Sequence, residues 1–205
     1  MSNEIINKVM IGELLTEKEV EFVIEFVAQT VKINLKNNSK EYDTNCDYCS
    51  KYLLELSSKM DFAYRGYETG ELFMPELKHH FGFVGFRTEN GPLWYIVDLS
   101  YKQFENKNYP ITINGIRTTI QGPANKISKE NKTNLINKGY IKLTDKNLVD
   151  YIDSFIKSYP KNIDYNYIYE ILYEKMGNDK ISIQLEDQFL KNDEEVNDNI
   201  KGVKL

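Results

Sequence analysis

The segment from 79 to 98 constrains the fold more than any other part of the chain, because it is the most strand-like. Apolar and aromatic residues run from Phe81 to a turn at Thr88–Pro92, and a second apolar run then leads to Asp98. Two such runs joined by turn residues are typical of an antiparallel β-hairpin. A hairpin brings its first and last residues together, so we expect His79 and Asp98 to be neighbours.

Helical patterns flank this hairpin on both sides. Apolar residues recur at helical spacing, accompanied by capping or stop signals, over four stretches. These are residues 17–33, 46–59, 145–158 and 164–176. Thr16 and Glu19 form a capping box at the start of the first of them.

The remaining segments carry weaker signals. The polar residues 36–40 predict a loop, and residues 61–78 are expected to be irregular because they contain two glycines and a proline. A third strand is predicted around Ile111–Ile116. The order of helices, then strands, then helices predicts an α+β fold rather than the alternating pattern of a doubly wound parallel sheet.

Charge and the amino-terminal residues exclude some classes of function. The net charge is −5, and no stripe of Lys and Arg with interleaved aromatic residues occurs, so we do not expect nucleic-acid binding. Residues 1–15 contain no long apolar run, so neither a signal peptide nor membrane insertion is predicted. The expected location is the cytoplasm, or a target cell reached by export without a hydrophobic signal.

The two cysteines are the first candidates for chemistry. Cys46 and Cys49 are too close in sequence for a useful disulfide framework, which fits a reducing compartment. Cys46 follows three capping-type residues at the predicted start of a helix, where a thiol ionises more readily and becomes a nucleophile. Its backbone N–H is then a candidate oxyanion donor. Cys49 lies one turn later on the apolar face and is expected to pack.

A nucleophilic thiolate needs a base that is oriented by a third group. The chain has only two histidines, His79 and His80, and they are adjacent at the start of the predicted hairpin. Asp98 ends the partner strand and is the candidate orienting carboxylate. Alternation along the strand places the two histidines on opposite faces, and both remain candidates for the base.

The same residues resemble a known group of enzymes. Cys46–Ser50 is similar to the C-x-x-x-S opening of the central helix in papain-like enzymes, and His79–Phe86 is similar to the strand that carries their histidine. Trp94–Asp98 resembles the next strand, where transglutaminases place an aspartate. Asp98–Phe104 resembles the D-x-[ST]-[YF]-x-Q-F signature of bacterial papain-fold toxins and effectors, and Gly139–Thr144 resembles a later segment of those proteins.

This resemblance implies a papain-like or transglutaminase-like core, with a nucleophile helix packed on an antiparallel sheet and additional C-terminal helices. It also implies a thiol hydrolase that modifies protein substrates through a Cys-His-Asp triad and a thioester. Some papain-fold toxins deamidate protein glutamines and others cleave peptide bonds, and the choice among deamidase, transglutaminase and protease stays open. No cofactor or metal is implied. A cognate immunity or inhibitor protein is a further partner suggested by the resemblance to toxins.

The resemblance also refines the candidate residues. Alignment of the aliphatic-Gly-aromatic pattern selects His79 as the base, with His80 as the alternative. The sequence departs from papain at the second oxyanion donor, because Lys40 stands where papain has glutamine. Asn37, Asn38 and Asn45 are alternatives for the second oxyanion donor. Asn45 and the backbone N–H of Cys46 are the predicted pair of donors.

Other interpretations of these residues remain. Cys46 could be an ordinary core cysteine, and Asp98 could cap a turn. The protein could be a non-catalytic interaction module on a papain-like fold, or a redox protein that uses Cys46-x-x-Cys49. A zinc site is disfavoured because adjacent histidines alternate faces on a strand.

The predicted domain organisation follows from these assignments. Residues 1–190 are predicted to form a single papain-like domain. Within it, 1–40 form an N-terminal helical extension, 41–125 the catalytic core and 140–190 the C-terminal helices. Residues 191–205 are predicted to be a charged tail.

Overall fold

Helices and antiparallel strands follow one another in a computed structural model that describes residues 2–37, 45–69, 79–104, 109–113, 116–120 and 127–156. These residues define an α+β fold. The helices are α1 (Ser2–Met10), α2 (Glu17–Asn37), α3 (Cys46–Ser57), α4 (Lys129–Asn137) and α5 (Asp145–Ile156), with a short 3-10 helix at Tyr101–Phe104. The strands are β1 (Ala63–Glu68), β2 (His80–Thr88), β3 (Gly91–Val97), β4 (Tyr109–Ile113), β5 (Ile116–Ile120) and β6 (Tyr140–Lys142).

The predicted hairpin is the centre of the main sheet. Strands β2 and β3 pair antiparallel, from Thr88 opposite Gly91 to Gly82 opposite Val97. The sheet has four strands in the order β1-β2-β3-β6, and every neighbouring pair is antiparallel. The hairpin prediction is therefore confirmed, and the two ends of the hairpin lie side by side.

The prediction that residues 61–78 are irregular is wrong for its first part. Ala63–Glu68 forms β1, which pairs with β2 from Ala63 opposite Gly85 to Glu68 opposite His80. Glycine usually disfavours strands, but Gly66 lies opposite Gly82 in the β1–β2 pair, where neither residue places a side chain between the two strands. Residues 70–78 lie outside the described part of the chain.

The third-strand prediction also needs correction. Residues 109–120 contain two strands, β4 and β5, which pair with each other in a separate two-stranded sheet. The strand that extends the main sheet beyond β3 is β6, with Tyr95 opposite Lys142. A three-residue strand carries too little periodicity to be recognised from sequence alone.

Helix α2 begins with the predicted capping box. The Thr16 N–H donates to Glu19 Oε2 at 2.8 Å, and the Glu19 N–H donates to Thr16 Oγ1 at 3.3 Å. The helix continues to Asn37, so the predicted loop at 36–40 is wrong for residues 36 and 37, and residues 38–40 lie outside the described part. The buried face of α2 shares one apolar core with α3 and the sheet, which includes Val23, Val27, Leu53, Val84 and Phe86.

Of the two helices predicted in the C-terminal half, the one at 145–158 is confirmed, whereas helix α4 was not predicted. Helix α5 covers Asp145–Ile156, and Leu148, Tyr151, Ile152 and Phe155 are buried. The helix predicted at 164–176 and the tail at 191–205 lie outside the described residues. In the described segments, no helix is both long enough and apolar enough to cross a bilayer.

Candidate functional site

Cys46 lies at the start of α3, as its capping sequence predicted. Asn45 is the N-cap residue, and its side chain makes no capping hydrogen bond. The first N–H groups of a helix have no partner within the helix, so the amino end of α3 presents donors and a positive dipole end beside the thiol. Cys46 is half-buried, whereas Cys49 is buried in the apolar core, and neither is in a disulfide.

His79 and Asp98 meet at the open end of the hairpin. His79 Nε2 lies 2.7 Å from Asp98 Oδ2, and both side chains are fully buried. His79 immediately precedes β2 and Asp98 immediately follows β3, so hairpin pairing brings them together. The Asp98 N–H donates to the Gly139 carbonyl at 2.8 Å, which anchors this end of β3.

Two further side chains hold the Asp98 carboxylate. The Tyr151 hydroxyl donates to Asp98 Oδ2 at 2.8 Å, and the Ser100 hydroxyl donates to Oδ1 at 3.3 Å. Both donors are buried. A buried carboxylate requires such partners, and here they also fix the orientation in which Asp98 faces His79.

The second ring nitrogen of His79 points away from Asp98. Because Nε2 is directed at Asp98, Nδ1 is the nitrogen left for other partners. The Cys46 side chain lies close enough to the His79 ring to contribute to raising its pKa. The Gln103 Nε2 atom lies 3.1 Å from His79 Nδ1. Cys46, His79 and Asp98 therefore form a continuous chain from thiol to imidazole to carboxylate, with the Gln103 amide beside its first link.

The ionisation of His79 reflects these neighbours. Burial by itself lowers the pKa of His79, but the charge of Asp98 and its hydrogen bond act in the opposite direction, and Cys46 adds to them. The net result is a pKa raised from 6.5 to about 9. The arrangement thus favours an imidazolium held between a carboxylate and a thiol.

Aromatic side chains enclose the His79 ring. The Phe104 ring meets it edge-on with a centroid distance of 4.7 Å, and the Phe155 ring lies at 5.8 Å. Phe104 comes from the 3-10 helix and Phe155 from α5. These contacts exclude water from one side of the imidazole and restrict its rotation.

His80 occupies a different environment. Its Nε2 atom lies 3.1 Å from Asp47 Oδ1 and 3.7 Å from Glu68 Oε2. Asp98 contacts His79 and not His80, so the geometry favours His79 over His80 as the partner of Cys46. The alternation predicted from the strand accounts for this difference, because adjacent residues leave a strand on opposite faces.

An open cavity of about 390 Å³ lies between the middle of α3 and strand β1. Its lining includes Ser50 and Leu54 from α3, Arg65 and Glu68 from β1, and His80. Ser50 is one helical turn after Cys46 and His80 is next to His79 in sequence, whereas Cys46 and His79 themselves are not among the residues that line the cavity. It carries both acidic and basic side chains.

Across the described segments, no three His, Cys, Asp or Glu side chains are grouped so that they could hold a metal ion. Cys46 faces His79, whereas Cys49 lies with Leu53 among the buried residues of α3. The two thiols therefore have different surroundings despite their spacing.

Sequence reasoning did not assign a role to three residues at this site, namely Ser100, Gln103 and Tyr151. Ser100 and Gln103 are part of the signature that begins at Asp98, and the fixed Gln in that pattern was the available signal. Tyr151 is 53 positions from Asp98 and reads as one more apolar position of a helix. Asn45 is beside Cys46 as expected, and its oxyanion role stays a prediction.

These elements define a class: an α+β protein with a thiol at a helix N-terminus facing a buried histidine–aspartate pair. No protein family, no curated protein and no solved structure matches this chain.

Proposed function

We propose that this chain is a cysteine-dependent acyl hydrolase with a papain–transglutaminase-type core, acting on carboxamide or peptide carbonyl groups of protein substrates. The observation that carries this proposal is the chain of contacts from Cys46 through His79 to Asp98. A thiol, a base and an orienting carboxylate in this order are what nucleophilic acyl transfer requires. The positions of these three side chains define the steps of the reaction.

In the first half-reaction, the Cys46 thiolate attacks the substrate carbonyl carbon and a C–S bond forms. The His79 imidazolium donates its proton to the leaving nitrogen, the C–N bond breaks, and ammonia or an amine departs. A thioester on Cys46 remains. Asp98 holds the His79 ring throughout, with its own carboxylate held by Tyr151 and Ser100.

In the second half-reaction, water attacks the thioester and the neutral His79 accepts its proton. The C–S bond breaks, the carboxylic acid leaves, and the thiolate–imidazolium pair is restored. If an amine replaces water as the attacking group, the same steps give a crosslink. Deamidase, transglutaminase and protease therefore share this chemistry and differ in the bond that enters the site.

The developing oxyanion needs two donors near the sulfur. We assign the first to the Cys46 backbone N–H at the start of α3. For the second we propose the Gln103 side-chain amide in place of the Asn45 predicted from sequence, because its nitrogen lies 3.1 Å from Nδ1 of the His79 ring, whose pKa Cys46 helps to raise. Gln103 replaces the glutamine that papain carries before its cysteine, where this chain has Lys40.

Two features support a protein substrate: the open cavity between α3 and β1, and the resemblance of Asp98–Phe104 to papain-fold toxins. The cavity beside Ser50 and His80 is open, which suits a side chain or segment of a polypeptide better than a small enclosed ligand. The resemblance of Asp98–Phe104 to papain-fold toxins and effectors points the same way. On that basis we propose a protein substrate, and a toxin or effector role for the whole protein.

Incubation of the protein with candidate protein substrates, followed by intact-mass measurement, tests this function. An increase of about 1 Da signals deamidation, crosslinked products with loss of ammonia signal transglutamination, and fragments signal proteolysis. The Cys46→Ala variant is expected to lose all three activities while keeping its fold. The matched control, Cys49→Ala, removes the buried thiol of the same helix and is expected to remain active.

The two variants separate the proposed function from its alternatives. Full activity of a folded Cys46→Ala protein would contradict the hydrolase. Loss of function in Cys49→Ala together with a reversible Cys46–Cys49 disulfide would favour the redox protein instead.

A further inference from the structure

We propose that His80 is a positioning residue for the nucleophile: it offsets the negative charge of Asp47 beside the Cys46 thiolate, and Glu68 holds His80 in place. The second histidine then belongs to the same site as the first. His79 contacts the thiol directly, and His80 acts on it through Asp47.

The first step concerns Asp47. Its Oδ1 atom accepts a hydrogen bond from the Cys46 thiol at an Sγ–Oδ1 distance of 3.6 Å. An acidic residue in the first turn of a helix is favourable for α3, because it lies at the positive end of the helix dipole. The same carboxylate places a negative charge next to a sulfur that must itself become negative, and two like charges at this distance repel.

The second step is the position of His80. Its Nε2 atom approaches the same oxygen of Asp47, at 3.1 Å, that faces the thiol. This distance is within ion-pair range, so the imidazole and the carboxylate lie against each other. His80 therefore draws the Asp47 charge toward itself and lessens the repulsion that the thiolate experiences.

The third step is the support of His80 by β1. Glu68 lies directly opposite His80 in the β1–β2 register, and its Oε2 atom is 3.7 Å from His80 Nε2. The charged side chains that face His80 are thus Asp47 from α3 and Glu68 from β1. The groups around the thiol are His79, which immediately precedes β2, Asp47 from α3, and Tyr151 and Asp98 behind them.

The size of the effect that His80 has on thiol reactivity depends on how exposed the interacting side chains are. The side chain of Asp47 is 76% exposed, that of His80 is 33% exposed and that of Glu68 is 26% exposed, so water screens this chain of contacts. Exposed ion pairs contribute modest free energies, which correspond to roughly two- to fivefold changes in the population of a charged form. The role of His80 is therefore adjustment of thiol reactivity rather than proton transfer.

Alkylation of Cys46 by iodoacetamide at pH 7 tests this role, with Cys49→Ala as the background so that one thiol reacts. His80→Asn is expected to slow alkylation by about two- to fivefold, and His80→Lys, which places a cation opposite Asp47, is expected to restore the rate. In an Asp47→Asn background, His80→Asn is expected to have little further effect. Circular dichroism and thermal unfolding check that each variant is folded.

Two results would overturn the proposal. One is an unchanged alkylation rate in His80→Asn. The other is an equal decrease with and without Asp47, which would mean that His80 acts on the fold or on another group. This assignment rests on the proposed function, but the experiment measures the reactivity of the Cys46 thiol and not hydrolase activity. A negative alkylation result would therefore reject the role of His80 and leave the hydrolase proposal standing. Absence of hydrolase activity would likewise leave the alkylation result valid.

Discussion

At the residue scale, the site depends on a histidine that has no access to water and yet favours its charged form. His79 is fully buried, and burial alone would favour the neutral ring. The buried Asp98 carboxylate reverses this preference, and it can remain charged in the interior because Tyr151 and Ser100 donate hydrogen bonds to it. Each buried charge is thus compensated by a partner from another element, which links the ionisation of His79 to the stability of the fold.

This linkage predicts the pH dependence of stability. The pKa of His79 is raised to about 9 in the folded protein, against 6.5 for an ordinary histidine. The stabilising contribution is complete below pH 6.5, where both states are protonated. It declines between pH 6.5 and 9, as the unfolded chain releases a proton that the folded chain retains, and is lost above pH 9. One pKa unit corresponds to about 1.4 kcal/mol, so the free energy of unfolding should fall by up to roughly 3 kcal/mol over this range.

Urea unfolding at several pH values measures this decline. In Asp98→Asn, the charge that raises the pKa of His79 is removed, so we expect lower stability at pH 6 and a flatter profile from pH 6.5 to 9. His80→Asn is the matched control, since His80 lies beside Asp47 and Glu68 rather than Asp98, and the decline that His79 causes should remain in this variant. An equal slope in Asp98→Asn and wild type would contradict the assigned ionisation.

At the element scale, the β2–β3 hairpin needs a glycine for a packing reason. Gly85 lies opposite Trp94 across the strand pair, and the Trp94 ring covers it. A Cβ atom at position 85 would come within 2.6 Å of the Trp94 ring. The aliphatic-Gly-aromatic pattern at 84–86 therefore reflects close contact between cross-strand neighbours.

Gly85→Ala is expected to destabilise the protein by about 1–3 kcal/mol, because the buried Trp94 ring must move to admit a methyl group. Gly66→Ala, in the edge strand β1, is the control: position 66 is exposed, and the nearest atom is the Ser50 hydroxyl. We expect Gly66→Ala to lower the free energy of unfolding by less than Gly85→Ala does. Chemical denaturation of both variants measures the difference, and a Gly85→Ala protein as stable as wild type would refute the packing account.

At the scale of the whole molecule, helices from distant parts of the chain are joined around the sheet. The buried face of α2 belongs to the same core as α3 and β2. Lys32 on α2 is also buried, and its Nζ atom donates to the carbonyls of Asn137 at 3.1 Å and Lys138 at 3.0 Å. These carbonyls are at the C-terminal end of α4, where a cation is favoured by the helix dipole. The N-terminal segment thus supports the loop that leads into β6.

Lys32→Met tests this connection. The substitution keeps an apolar stem of similar length and removes the ammonium group, which leaves two carbonyls without a charged donor. We expect a loss of about 1–3 kcal/mol in the free energy of unfolding. Lys36→Met changes an exposed lysine near the end of the same helix and should have almost no effect. Equal stabilities of the two variants, measured by urea unfolding, would show that the Lys32 contacts contribute nothing.

Local sequence patterns determined the elements whose signals are contained within a few residues. Helix α2 begins at its capping box, α3 begins at Cys46, and the β2–β3 hairpin follows its alternation and turn. The contact between His79 and Asp98 could be predicted for the same reason, because hairpin pairing is local and places the two ends of one segment together.

Tertiary structure decided everything that depends on contacts between distant segments. Strand β1 contains a glycine that looks like a breaker, and β6 is too short to show a period, so only pairing with β2 and β3 reveals them as strands. The partners of His79 and Asp98 include a tyrosine from α5, and a hydrophobic position of a helix gives no sign that its hydroxyl will reach a carboxylate. Local propensity acts over a turn or a hairpin, whereas burial of a charge obliges the fold to bring hydrogen-bond donors from wherever packing places them.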